Sequence, residues 1–156
     1  LTSGLPAASL AALARQESAM NHQANSLADA HGLMQLLPST AKLVARRHGR
    51  TFTNTRSLFD AGVNIDLGSL HLAWLVNRYN GQTPLAYAAY NAGENRVDRW
   101  IKDLSGMPID IWIERIPFRE TRNYVKNVLA FRHVYAARLG MALPMLSKTE
   151  AHVREP

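Results

Sequence analysis

Apolar residues recur at helical spacing through almost the whole of this 156-residue chain, and that period constrains the fold more than any other feature. Leu10, Leu13, Ala14 and Glu17 fall at i, i+3, i+4 and i+7. Val63, Leu67, Leu70, Trp74 and Leu75 keep the same spacing. So do Tyr124, Val128, Phe131, Tyr135 and Leu139. Gly and Pro punctuate these runs where helices start and stop. The pattern predicts an all-α domain with at most a short β-hairpin.

The expected elements follow in order. Leu1 to Pro6 is a lead-in. Helix one covers about Ala7 to Met20, and Asn21 to His31 is a polar loop. Pro38 opens helix two, which Gly49 stops. Arg50 to Phe59 reads as an irregular connector. Asp60 caps a third helix over about Ala61 to Tyr79, and Asn80-Gly81 closes it. Thr83-Pro84 reads as a cap followed by a first-turn proline, opening helix four, which runs to about Asn91. Helix five covers about Glu94 to Leu104. Between Gly106 and Pro117, Ile109, Ile111 and Ile113 alternate with Asp110 and Trp112. Either a short strand or a short helix fits there, and a helix is preferred. The longest helix covers about Arg119 to Leu139, and Met141 to Pro156 is a tail with weak signals.

Composition narrows the chemistry. With no cysteine, the chain has neither a disulfide framework nor a thiol catalyst. Six histidines show no H-E-x-x-H spacing, so a zinc site is not expected. No P-loop or EF-hand string occurs. Lys and Arg exceed Asp and Glu, giving a formal charge of +6, which suits a polyanionic partner: nucleic acid, an anionic membrane or the acidic bacterial wall. No nucleic-acid module matches, so nucleic acid is not expected as a partner. No run is long enough for a transmembrane segment. The chain is expected to be a single domain, its core at about 7–140, and the C-terminal part of a longer protein.

Glu17 is the conspicuous polar residue of the first stripe. An acid on a core-facing stripe is desolvated, so its pKa is expected to rise, which suits a general acid. The plainer alternative is a solvated helix end. A general acid often works beside a second carboxylate whose pKa its surroundings set apart. From sequence, Asp29, Asp60, Asp66, Glu94, Glu114 and Glu120 are all candidates. Asp60 looks like a helix cap, and Asp66 should face away from the Val63 stripe.

Four motifs carry a resemblance. Glu17-Ser18 is followed by Ser26 and by Gly32-Leu33-Met34-Gln35. Then come Ala89-Tyr90-Asn91-Ala92-Gly93 and Ile116-Pro117-Phe118-Arg119-Glu120-Thr121-Arg122, with Tyr124 to Leu129 after it. In this order they resemble the catalytic core of the soluble lytic murein transglycosylases, whose folds are related to goose-type lysozyme. The resemblance covers roughly Leu10 to Leu139. It implies a lysozyme-like helical domain that cleaves the MurNAc–GlcNAc β-1,4 bond of peptidoglycan without water, leaving 1,6-anhydro-MurNAc ends. Glu17 would be the single acid and then base, with no cofactor. Ser26, Gln35, Leu37, Tyr90, Asn91 and Glu120 would line the substrate cleft. It further implies action in the bacterial cell envelope, in the periplasm, and a helical solenoid ahead of the domain.

Each of these residues also has an ordinary reading: a loop serine, an amide bonded to backbone for Gln35, a buried tyrosine, and for Glu120 a complement to a helix dipole. The sequence departs from the family pattern twice. Leu37 stands where a methionine is usual, and Glu94-Asn95 replaces a usual Pro-Gly. Three rival functions fit the same residues: a goose-type muramidase using water and Asp29, a non-catalytic glycan-binding module, and a nucleic-acid binder.

Overall fold

The computed structural model describes residues 3–156. Its regular elements are seven α-helices: α1 (Ala7–Ser18), α2 (Pro38–Arg47), α3 (Ala61–Arg78), α4 (Thr83–Ala92), α5 (Glu94–Ile101), α6 (Ile109–Arg115) and α7 (Arg119–Arg138). Two short 3₁₀ turns, Thr55–Phe59 and Lys148–Glu150, complete them. Among the described residues β structure is limited to isolated antiparallel bridges: Asn25 with His31, His31 with Leu36, and Pro108 with His152. The all-α expectation therefore holds. The chain forms two compact units that divide between Ala73 and Trp74.

In the first unit, α1 buries Ala8, Leu10, Ala12, Leu13 and Ala14. It ends two residues before the expected Met20, because Ala19 turns left-handed at φ 51° and returns its N–H to Arg15 O. Pro38 occupies the first turn of α2 as expected, where its missing N–H costs no helical bond. The connector is more ordered than its sequence suggests. Asn54 Oδ1 accepts from Ser57 N at 3.2 Å, and the 3₁₀ turn so capped seals Leu58 from solvent. Asp60 Oδ1 accepts from Val63 N at 2.9 Å, which is the cap anticipated for α3.

In the second unit, α4 is the central rod, with every residue from Pro84 to Ala89 buried. Its alanines let α5 and α7 pack against it, and α6 packs on α7. The Ile-rich stretch does form a helix, burying Ile109, Trp112 and Ile113. Thr83 is not the cap of α4: Gln82 takes that position. The threonine hydroxyl is engaged instead in a buried polar cluster. It donates to Glu150 Oε2 at 2.9 Å and accepts from Arg132 Nη1 at 2.7 Å.

That cluster explains why residues 141–156 are ordered despite weak sequence signals. Arg132 Nη2 reaches Glu150 Oε2 at 3.2 Å and Met145 O at 2.9 Å, with both charged side chains buried. Burial alone would lower the guanidinium's pKa; Tyr87 and Glu150 beside it outweigh that and hold it above the ordinary arginine value. Further along, Gln82 exchanges two hydrogen bonds with the Arg154 backbone, at 2.9 and 2.8 Å. Val153, fully buried, exchanges backbone bonds with Gly106 and Met107.

Candidate active site

Glu17 lies in the last turn of α1, half-buried, on the face whose earlier members Leu10, Leu13 and Ala14 are buried. Its neighbour Ser18 fixes this turn. Ser18 Oγ is 3.0 Å from Ala14 O and 2.8 Å from Leu33 O. The second contact ties the end of the helix to the Gly32–Gln35 loop, fifteen residues on. The Glu17-Ser18 and Gly-Leu-Met-Gln motifs thus form one local structure.

The loop is held from beneath by Asn64, a fully buried residue of α3. Its Nδ2 donates to His31 O at 2.8 Å and to Leu58 O at 2.9 Å, and its Oδ1 accepts from Met34 N at 2.8 Å. Gly32, at φ 77°, must be glycine, since a Cβ there would collide with Leu58 O and the Asn64 amide. Met34 is fully buried against Gly68, where any Cβ would strike the Met34 side chain. Sequence reading passed over both Asn64 and Gly68. A usable signal existed: each falls on the inward stripe of α3, three residues before and one after Leu67.

The other loop candidates have mixed duties. Gln35 sits at φ 48°, and its Nε2 donates to Ala24 O at 3.1 Å and Gly32 O at 2.9 Å. Its amide is thus committed to backbone, the plainer of its two sequence readings. Ser26 Oγ accepts from Ala30 N at 3.0 Å and so closes a five-residue turn, with Leu27 fully exposed at its tip. Leu37 is exposed and precedes α2. Asp29, the suspect for a second carboxylate, is exposed and pairs with the buried His31 ring, Oδ1 to Nε2, at 3.3 Å. Asp66 pairs with Arg50 at 2.8 Å.

In the second unit, Tyr90 and Asn91 occupy the last turn of α4, both half-buried, before Gly93 breaks the helix at φ 91°. Asn91 Oδ1 accepts from Thr121 Oγ1 at 2.7 Å. This bond joins the Tyr-Asn motif to the Pro-Phe-Arg-Glu-Thr-Arg motif. Glu120, one residue before Thr121, is exposed in the first turn of α7. Arg122 is turned back onto Ile116 O, at 3.0 Å, and Lys126 pairs with Glu114. These cations are therefore occupied structurally. Arg96 lies 5.1 Å over the Phe118 ring, whose edge meets Trp100 at 5.2 Å.

Residues 1–113 match the family model described as the transglycosylase SLT domain. The chain belongs to that family. Residues 115–144 of this SLT domain chain also match a model described as the soluble lytic transglycosylase helical domain. The soluble lytic murein transglycosylase of Escherichia coli is 38% identical over 154 residues, which are 96% of this chain and 24% of the relative. Two solved structures align closely. An inactive mutant of the lytic transglycosylase Slt from Pseudomonas aeruginosa has a TM-score of 0.96 at 41% identity, covering 99% of this chain and 25% of that one. The 70 kDa soluble lytic transglycosylase of E. coli has a TM-score of 0.92 at 36% identity, covering 96% and 25%. The chain spans about a quarter of the length of these relatives. Its fold is the helical, lysozyme-like fold of the SLT enzymes.

Proposed function

We propose that this SLT domain is a lytic murein transglycosylase, cleaving the MurNAc–GlcNAc β-1,4 bond with Glu17 as general acid and base. The observation that carries the reading is the attachment of the Glu17 turn, through Ser18, to the Gly32–Gln35 loop. Glu17 is half-buried and follows the buried Leu10, Leu13 and Ala14 on the same face of α1. The Slt structure from P. aeruginosa, described as an inactive mutant, carries glutamine in place of a glutamate, in keeping with a glutamate-dependent reaction.

In this mechanism Glu17 gives its proton to the glycosidic oxygen as the bond from C1 breaks. The N-acetyl carbonyl of the muramic acid stabilises the positive charge that develops at C1. The carboxylate then takes the proton of the same sugar's C6 hydroxyl, whose oxygen closes onto C1. Glu17 ends protonated, the product is a 1,6-anhydro sugar, and water is not consumed. No metal or cofactor takes part. Ser26, Gln35, Leu37, Tyr90, Asn91 and Glu120 contribute to substrate binding in this reading. Gln35 does so chiefly by keeping the loop in shape. The reaction would take place in the bacterial envelope, in the periplasm, on peptidoglycan strands, with a helical solenoid elsewhere in the intact protein.

The test is mass spectrometry of muropeptides released from purified sacculi by wild type and Glu17→Gln. Products lighter by one water, formed by wild type and reduced at least ~10³-fold by the substitution, are expected. Full-mass reducing ends would replace this reading with a muramidase. Equal turnover by Glu17→Gln would remove Glu17 from its role.

A further inference from the structure

Residues 30–59 hold Lys42, Arg46, Arg47, Arg50 and Arg56, and neither an aspartate nor a glutamate. Outside that stretch thirteen cations face twelve acids, so the formal charge of +6 is concentrated almost wholly within it. Helix α2 carries its centre. The inner face of α2 is buried through Ala41, Val44 and Ala45. At about 100° per residue, Ser39, Lys42, Leu43, Arg46 and Arg47 fall on the opposite arc, and all five are exposed.

Two ordinary roles account for part of this surface. Cations in the last turn of a helix complement its dipole, which covers Arg46 and Arg47. Arg50 is paired with Asp66 at 2.8 Å. Neither role reaches Lys42, in the middle of the helix, and neither reaches Leu43. That leucine is 50% exposed at the centre of the outer arc, between Arg46 on one side and Arg47 on the other. A lone exposed leucine is common on protein surfaces. Its weight here comes from its place, flanked by cations on a stretch with no acid.

We propose that the outer face of α2 is a docking surface for an anionic phospholipid membrane. Lys42 and Arg46, with Arg47 beside them, meet the phosphate headgroups, and Leu43 enters the acyl boundary between them. Charge complementarity selects the class of partner. No acid in residues 30–59 repels an anionic sheet, and each cation brought to one gains about 5-fold in affinity. Leu43 selects within that class. A nucleic acid binds such a face through its phosphates alone, and an aliphatic side chain adds nothing to that attraction. At a bilayer the same side chain leaves water. The attachment would keep the domain at a leaflet of the envelope, beside the strands it cuts. Docking itself does not depend on that chemistry, and Lys42, Leu43 and Arg46 take no part in the reaction proposed above.

The test is co-sedimentation of the intact protein with vesicles made of equal parts phosphatidylglycerol and phosphatidylethanolamine, beside vesicles of phosphatidylcholine. Wild type is expected to sediment with the first and not with the second, and to be released in part as salt is raised. Lys42→Gln/Arg46→Gln should weaken binding roughly 25-fold, the worth of two cations. Lys102→Gln/Arg138→Gln removes the same charge from exposed positions of the second unit and should weaken it less than about 3-fold. Leu43→Gln keeps every charge and should weaken it about 5–10-fold. Each variant should release anhydro ends from soluble strands within about 2-fold of wild type, as expected of exposed substitutions away from the site. That readout separates a docking defect from a misfolded or inactive protein, and a failure of the lyase reading from a failure of this one. Equal losses from the two double variants would reduce the effect to net charge and overturn the proposal, as would wild type that ignores the anionic vesicles. Leu43→Gln that binds vesicles as wild type does would remove the acyl contact and overturn it too. Duplex DNA held through Lys42 and Arg46 would then take the membrane's place.

Discussion

Replacing Asn64 with alanine removes three hydrogen bonds at once, and the structure allows the cost to be worked out. One of the three partners keeps an alternative. His31 O also accepts from Leu36 N at 3.0 Å, so it stays satisfied. Met34 N loses its side-chain acceptor, and Leu58 O loses the Asn64 amide. Each buried group left without its partner costs about 1–3 kcal/mol, unless a water enters the vacated space. Two such groups, with partial rescue by water, put the loss near 3 kcal/mol. For a chain of this length that is a Tm drop of roughly 6–12 °C. Urea unfolding should show a lower midpoint at unchanged slope. Asn64→Asp sharpens the argument. It keeps the acceptor for Met34 N and turns a carboxylate oxygen towards His31 O and Leu58 O. The charged form is disfavoured there, so the folded-state pKa of the new acid lies above its unfolded value. A group raised in this way contributes stability below the unfolded pKa, and that contribution is lost as pH rises through the folded pKa. The Asn64→Asp deficit relative to wild type should therefore shrink on acidification. An Asn64→Ala variant within 0.5 kcal/mol of wild type, or an Asn64→Asp deficit independent of pH, would refute the idea that this amide holds the loop.

Three other outcomes follow from the same geometry. Gly32→Ala should be at least as damaging as Asn64→Ala, by about 3 kcal/mol or more in urea titration, because it adds strain at φ 77° to a collision with Leu58 O and Asn64. Glu150→Gln should destabilise by about 3 kcal/mol, the low end for a broken buried pair, since Arg132 retains Thr83, Tyr87 and Met145 O; a loss under 1 kcal/mol in thermal or urea unfolding would count against the cluster as the anchor of residues 141–156. Thr121→Val should cost about 1 kcal/mol of stability and lower kcat more than KM, by loosening Asn91 at the end of α4; unchanged release of anhydro ends would detach that bond from the reaction.

What could be read from the sequence, and what could not, divides along physical lines. A buried helical face must repeat every three or four residues whatever it packs against. The stripes through Leu10, Val63 and Tyr124 therefore announced α1, α3 and α7 without any partner in view. Pro38, Asp60 and Gly93 act within one turn of themselves, and they too were legible. The buried polar tethers were not, because a hydrogen bond across 30 or 67 residues leaves no local period. The place of Asn64 on the inward stripe of α3 marked it as buried and not as a tether, and Thr83 looked like a cap, until Met34 and Glu150 were placed beside them. The ordered chain after Met141 was missed for the same reason, being held by Gln82 from 72 residues away, whereas the 3₁₀ turn at Thr55–Phe59 is held nearby, by the Asn54 cap and by the Asn64 amide on Leu58 O. The site shares this divide. Glu17 stood out because an acid on an apolar stripe violates the local pattern. The loop that would present substrate to it is shaped by Ser18, Asn64 and Gly68, three residues whose roles emerge only from what they touch.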